Sequence, residues 1–356
     1  MVQIIVLGVI AGIAAALLLA SPISGSHLSL LLVSIASLPI LIVGIGWSHV
    51  AGLLAAVVAP TAIAVAALAS ATPAASLAGA LFITILLGVG LPAWWLSYLA
   101  LLARPNALAR PPALVRPAAP PADSLPTGQD AMADSLEWYP VGRIVVWSAI
   151  LATGVVTLTL LTIGSDAETI RSGLKRLFEE ALRLQAGTPR DAPLELPAVA
   201  NVPRFLNFIA IMVPPTAAVI GTITSLLNLW LAARVVMVSG RLKRPWPDLA
   251  AIAFPPAVAA ILMATILGTF LPGLVGIIAG LFTATLLTAY AILGFAVLHK
   301  ITGGIRARGF VLASAYAAVC VFGWPVLVMT VLGVADSVLD VRGRLAARRR
   351  PPNNVV

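Results

Sequence analysis

The sequence predicts an all-α fold: a polytopic transmembrane helix bundle of about nine spans with one interfacial or extracytoplasmic amphipathic helix. Hydrophobic residues make up 60% of the 356 residues and charged residues only 10%, which is more apolar surface than a soluble fold of this length buries. A helical span needs about 20 apolar residues to cross about 30 Å of hydrocarbon. No acidic residue lies in the interior of a predicted span, so the lipid bilayer is the expected main partner.

The predicted spans form two groups separated by a proline-rich segment. Residues 1–103 form an N-terminal four-span unit, with spans at 3–20, 27–46, 49–69 and 76–102 and short connections that favour antiparallel neighbours. Residues 104–142 are rich in proline and are predicted to be a flexible linker. A C-terminal membrane unit, 143–341, holds spans at 143–163, 205–237, 249–271, 273–298 and 309–334, and residues 342–356 form a basic tail predicted to be disordered.

A polar excursion at 164–204 carries the amphipathic helix. Ser165 and Glu168 have the spacing of a capping box, and Gly187 and Pro189 stop the helix. We expect a helix over 166–186 that lies in the membrane interface or covers a cavity mouth, or else one that only packs on neighbouring loops. Its predicted apolar face contains Ile170, Leu174, Leu177, Phe178, Ala181 and Leu182.

The formal charge of +9 is distributed as short basic groups between the spans. This distribution is typical of the positive-inside bias, and no folded basic domain accompanies it, so nucleic acid is not an expected partner. It predicts that 104–142, 235–248 and 299–308 face the cytoplasm and that 164–204 faces outward. Nine spans with an inward amino terminus would place the basic tail outside, against the same bias, so eight and nine spans both remain open.

Three polar or aromatic residues in or beside spans are candidate substrate-binding residues: Asn228, Trp324 and Asp336. Each also has a structural interpretation. Asn228 is suited to bond a neighbouring helix, Trp324 lies in a Gly-Trp-Pro sequence that kinks or breaks a helix, and Asp336 has arginines nearby for a surface ion pair. Metal and enzyme chemistry have little support, because the three histidines lie in separate connections and no Walker A motif, nucleophile elbow or paired catalytic acids occur. No cofactor is expected.

Small residues repeat every four positions in the first span at Gly8, Gly12 and Ala16. They therefore share one helical face, and such a face allows another helix to approach closely in lipid. Chance spacing in an alanine-rich span is the alternative.

Several short motifs resemble the YybS-like bacterial membrane proteins of unknown function. They are the polar helix after the fifth span, the segment Asn228 to Arg234 followed by Gly240-Arg241 and Pro245, the Leu271-Pro272 break, and the ending Leu332-Gly333-x-x-Asp336-x-x-x-Asp340-x-Arg342. The family in turn resembles the substrate-binding S-components of energy-coupling-factor transporters. The resemblance implies a multi-pass protein of the bacterial cytoplasmic (inner) membrane. It also implies that Gly8, Gly12 and Ala16 dock a transmembrane coupling protein, while a separate ATPase supplies energy.

Two function classes follow from these observations. The first is a solute-binding subunit of an uptake system, which the resemblance and the missing ATPase motif favour. The second is a non-catalytic membrane scaffold or assembly factor, which the scarcity of polar residues in the spans favours.

Overall fold

The computed structural model describes residues 1–21, 28–70, 73–105, 136–189, 192–194 and 199–349. These residues are almost entirely helical, which confirms the all-α prediction. Among them the sheet is limited to β1 (Ala103–Pro105) and β2 (Leu136–Trp138), which pair antiparallel with Arg104 opposite Glu137. Most of the predicted flexible linker, 106–135, lies outside the described residues.

The helices follow the predicted spans closely in the first half of the chain and less closely in the second. The first half contains α1 (Val2–Ala20), α2 (Leu28–Ser34), α3 (Leu38–Gly46), α4 (His49–Ala69), α5 (Ala78–Ile85) and α6 (Leu91–Leu101). The second half contains α7 (Val141–Ile163), α8 (Ala167–Ala186), α9 (Val202–Val238), α10 (Ala257–Gly268), α11 (Gly273–Ile301), α12 (Arg308–Phe322), α13 (Pro325–Leu339) and α14 (Val341–Arg349). A π-helical turn, Leu86–Gly90, joins α5 to α6.

Seven stretches of the described residues are helical, long and apolar enough to cross a membrane. This confirms a multi-pass membrane protein. They are Val2–Ala20, Leu28–Gly46, His49–Ala69, Ala75–Leu101, Val141–Ile163, Val202–Val238 and Gly273–Ile301.

Two predicted spans are wrong as continuous helices. In 249–271 only α10 is a regular α-helix, because Pro255 and Pro256 have no N–H to continue one from upstream. Its 12 residues extend about 18 Å, less than the hydrocarbon thickness. In 309–334 the chain breaks at Gly323, whose φ of 71° ends α12, and α13 begins with Pro325 in its first turn.

The helices divide into two compact units. One compact unit contains Met1–Ile144 together with Leu227–Asp248, and a second contains Val145–Leu226 and Leu249–Val356. The first unit therefore includes the C-terminal part of α9 in addition to the four N-terminal spans. Within the predicted disordered tail, residues up to Arg349 continue as α14, and Arg342 at its start is bonded to the second unit's own backbone.

The small-residue face of α1 packs against α4 inside the first unit. Gly8, Gly12 and Ala16 are buried, and a Cβ added to Gly12 would lie 2.6 Å from the Cβ of Val58. Glycine at this position lets the two helix backbones approach closely, as expected for helices in lipid. This face is thus covered by the protein's own helix, which corrects the expectation that Gly8, Gly12 and Ala16 offer a free docking surface for a coupling protein.

The second unit depends on a similar close contact between α11 and α13. A Cβ added to Gly294 would overlap the carbonyl group of Met329, and one added to Gly333 would overlap the carbonyl oxygen of Tyr290. Two glycines facing each other therefore set the distance between these helices.

We predict that Gly294→Ala destabilises the protein by about 1–3 kcal/mol, because the methyl group forces α11 and α13 apart. Gly280→Ala is the matched control on the same helix, since a Cβ there meets no atom within 4 Å. That control should keep or slightly raise the melting temperature, because alanine favours helix more than glycine does. Equal melting temperatures for the two variants in detergent would contradict the packing described here.

Candidate functional site

Helix α8 begins at a well-formed N-cap. The Oδ1 atom of Asp166 accepts hydrogen bonds from the backbone N–H groups of Glu168 (3.0 Å) and Thr169 (2.9 Å), and its Oδ2 accepts from the Thr169 hydroxyl at 2.6 Å. That hydroxyl is the main cause of the lowered pKa of Asp166, so the cap stays ionised at neutral pH. The cap is Asp166 and not the predicted Ser165, because its carboxylate meets two N–H groups at once. Gly187 ends the helix with a φ of 65°.

The amphipathic helix buries only part of its predicted apolar face. Ile170 and Leu174 are buried in a cluster with Leu160 of α7, Ala210 of α9 and Leu281 of α11. The prediction that one face is apolar and packed is therefore confirmed for these two residues.

Leu177 departs from that prediction, because it is 54% exposed. The following turn of the helix is held on its polar side, where Arg183 pairs with Glu179 at 2.8 Å. The same guanidinium donates to the carbonyl oxygens of Pro189 and Ala192, at 3.0 and 2.8 Å. These bonds tie the chain after α8 back onto the helix.

Beneath the first two turns of α8 lies a cavity of about 440 Å³ within the second unit. This is in the range of small-molecule sites in proteins, which start at about 300 Å³. The walls are mostly apolar, and they come from α7, α8, α9, α11 and the turn before α11. The lining residues are Leu160, Ile170, Arg171, Leu174, Ala210, Ile211, Met212, Pro214, Pro215, Thr269, Leu271, Pro272, Gly273, Gly276, Ile277, Gly280 and Leu281.

One wall of the cavity is a proline pair inside α9. Pro214 and Pro215 lie within the continuous helix and have no backbone N–H. They therefore remove the donors that the carbonyl groups of Ala210 and Ile211 would meet in a regular helix. All four residues line the cavity, so this wall combines apolar side chains with peptide carbonyl groups released from helical pairing.

The opposite wall is the break between α10 and α11. Pro272 is extended, with ψ of 162°, and Gly273 has a φ of 78°, which glycine adopts without strain. α11 starts here, and the N–H groups of its first turn have no partner within the helix. Arg171 of α8 also lines the cavity, and its side chain is exposed. The cavity thus has mostly apolar walls, which include the Pro214-Pro215 pair and the start of α11.

Asn228 stabilises a helix break in the first unit. Its Nδ2 donates to the carbonyl oxygen of Ser34 at 2.7 Å and to Oγ of Ser37 at 2.9 Å. The Ser34 carbonyl is available because α2 ends there and the N–H of Leu38 bonds Ile35 instead. Asn228 is 1% exposed, and it does not line the cavity under α8. This geometry matches its structural interpretation as a bond to a neighbouring helix.

The carboxylate of Asp336 forms an ion pair with Arg342. Its two carboxylate oxygens accept from the backbone N–H and from Nε of Arg342, at 3.0 and 2.9 Å, and Nη2 lies 2.7 Å from Oδ2. The same guanidinium donates to the carbonyl oxygens of Ala250 and Ile252, in the irregular segment before α10. The pair is buried, with side-chain exposures of 17% for Arg342 and 3% for Asp336. Asp336 thus holds the arginine that bonds the two carbonyl groups of this segment.

Trp324 lies between α12 and α13 and is 64% exposed. It is not among the residues that line the cavity. None of the three candidate residues Asn228, Trp324 and Asp336 lines this cavity. Sequence reasoning missed the cavity, although its signals were present as Pro214-Pro215, Leu271-Pro272 and the helix at 166–186.

Among the described residues no cluster of histidine, cysteine or acidic side chains has the arrangement of a metal site.

A family model described as predicted membrane protein (DUF2232) matches residues 137–337, more than half of the chain. The match covers α7 to α13 and therefore every residue that lines the cavity. No curated protein and no solved structure matches the chain.

We predict that Leu174→Asp loosens α8, because it places a charge against the buried cluster at a cost of about 3 kcal/mol or more. The matched control is Leu177→Asp, on the exposed side of the same helix, with an expected effect within about 1 kcal/mol. Trypsin cleavage within 171–183, followed by mass spectrometry, should accelerate only in the first variant. Equal protection of both variants would show that α8 is not seated as described.

Breaking the Asp336–Arg342 pair should cost about 3–5 kcal/mol, because Asp336→Asn leaves a mostly buried guanidinium without its counter-ion. Asp340→Asn removes the same charge four residues away. Asp340 is exposed, and its φ of 47° is one that asparagine tolerates, so this control should change stability by less than about 0.5 kcal/mol. Thermal unfolding in detergent measures both, and similar values would contradict the assigned role of Asp336.

Proposed function

The chain belongs to the family of predicted membrane proteins termed DUF2232, and we propose that it is a non-catalytic, solute-binding subunit of a membrane transport system. The cavity under α8 is the proposed binding site. This is a proposal about the matched region, 137–337, which contains all the cavity-lining residues.

The observation that carries the proposal is how the cavity is built. It lies beside a proline pair inside α9, Pro214-Pro215, which removes two backbone donors, and beside the helix break at Leu271-Pro272, with an amphipathic helix over it. Transporters characteristically bind their substrates where membrane helices are interrupted, because the released backbone groups become ligands there. Irregular backbone at membrane depth is tolerated where protein or a cavity shields it from lipid.

The lining favours a small amphiphilic solute. Ile170, Leu174 and Ile277 present apolar surface, while the carbonyl groups of Ala210 and Ile211 supply acceptors that suit an N–H or O–H donor. A strongly charged, fully hydrated solute would lose its water without enough replacement bonds in such a cavity.

The finer assignment follows the resemblance to YybS-like proteins and to S-components of energy-coupling-factor transporters. In that assignment the protein resides in the bacterial cytoplasmic (inner) membrane and binds the solute. A transmembrane coupling protein and a separate ATPase move it, since the sequence contains no Walker A motif of its own.

A scaffold or assembly factor is the second candidate. It is supported by Nδ2 of Asn228 and by the carboxylate of Asp336, which form bonds that hold helix breaks together. A scaffold needs a stable framework but no ligand cavity, so filling the cavity separates the two candidates.

We expect Gly280→Leu to fill the cavity without distorting the backbone, because Gly280 lines it and a Cβ there has open space. Native mass spectrometry of the wild-type protein, purified in mild detergent, should detect a retained small molecule that the variant lacks. The control is Gly154→Leu on α7, which also has open space but does not line the cavity. Identical small-molecule content in all three proteins, or none in the wild type, would favour the scaffold.

A further inference from the structure

Three helices of the first unit end at the same place. A Cβ on Gly46, the last residue of α3, would lie 3.3 Å from Cγ2 of Val236 near the end of α9. Gly44 and Ser97 bring α3 against α6 in the same way. After α9, Nη1 of Arg244 donates to the carbonyl oxygen of Ala100 at 3.2 Å. The ends of α3, α6 and α9 therefore form one surface.

Arginines on this surface lie over tryptophan rings. The guanidinium carbon of Arg241 is 4.7 Å from the ring centroid of Trp47, and that of Arg234 is 5.2 Å from the ring centroid of Trp246. A cation over an aromatic face is held in place but keeps its N–H donors free in the plane of the guanidinium. The two rings hold these guanidinium groups in place.

Asp248, two residues after Trp246, is the carboxylate nearest to Arg244 in sequence, and it is itself engaged in an interaction. The two arginines at the helix ends are Arg241, which lies over Trp47, and Arg244, which bonds Ala100. Arg244 is half-buried, and burial lowers its pKa from the ordinary value. A guanidinium group that has lost water on burial and that bonds a neutral carbonyl group is stabilised by an added anion.

We propose that Arg241 and Arg244, with Trp47 beside them, bind the phosphate of an anionic phospholipid headgroup at the end of the first unit. Guanidinium groups bind phosphate through paired N–H donors, and tryptophan favours the headgroup level of a bilayer. Basic pockets between membrane helices recognise anionic lipids by this chemistry. The site lies in the first unit, so it is independent of the proposed solute cavity.

The test uses the full-length protein equilibrated with mixed detergent micelles that contain equal amounts of dioleoyl-phosphatidylglycerol and dioleoyl-phosphatidylcholine. Native mass spectrometry then counts each retained lipid. Each arginine is expected to raise the affinity for an anionic lipid by about fivefold. The two together predict a preference for phosphatidylglycerol over phosphatidylcholine of about 25-fold. Arg241→Gln/Arg244→Gln should bring this preference close to one. The control is Arg306→Gln/Arg308→Gln, which removes one exposed arginine from the loop between α11 and α12 and one from the start of α12. This control should leave the lipid preference unchanged.

Inorganic phosphate at 10 mM, a concentration on the order of weak phosphate affinities, separates a lipid site from a general anion site. Retained phosphatidylglycerol in its presence supports lipid recognition, and displacement of the lipid overturns it. Equal retention of the two lipids by the wild type also overturns the proposal, and so does an equal loss in both double variants. If the Arg241→Gln/Arg244→Gln variant does not purify, the wild-type preference and the phosphate competition decide the question by themselves.

Discussion

Every backbone N–H and C=O group that lipid surrounds has to find its partner inside the protein, and the positions where helices break show how this chain meets that requirement. In the first unit Asn228 bonds the carbonyl group of Ser34 where α2 ends. In the second unit Arg342 bonds the carbonyl groups of Ala250 and Ile252 before α10. Polar residues that are scarce in an apolar chain are placed where regular helical bonding fails.

The same requirement explains the character of the cavity. The Pro214-Pro215 pair and Leu271-Pro272 interrupt regular backbone pairing beside it, and Ile170 and Leu174 of α8 cover the space. At Ser34 a side chain bonds the carbonyl group at the helix break. Pro214 and Pro215 instead remove two backbone donors beside the cavity. This difference distinguishes structural breaks from the proposed binding site within one chain.

Small residues set the distances between packed helices. Gly12 lets α1 reach α4, and Gly294 with Gly333 lets α11 reach α13, because helices in lipid gain stability from close packing more than from the removal of apolar surface from water. The small-residue face of α1, which was predicted to be a docking surface for a partner, is buried by this internal packing. Both Asn228 and Asp336 likewise have roles within the framework. The region matched by the DUF2232 model includes the cavity and α8, which covers it.

The sequence by itself determined the membrane class, the helical content, most of the spans and the amphipathic helix, because apolar length and helical periodicity are local properties. The tertiary structure alone decided the rest. Pro214-Pro215 leaves α9 continuous, whereas Pro255-Pro256 precedes a helix of only 12 residues, and the two dipeptides are identical. The partners of Asn228 and the cavity under Leu174 join residues far apart in the chain. Such contacts depend on which helices meet, and helix propensity and periodicity carry no information about that.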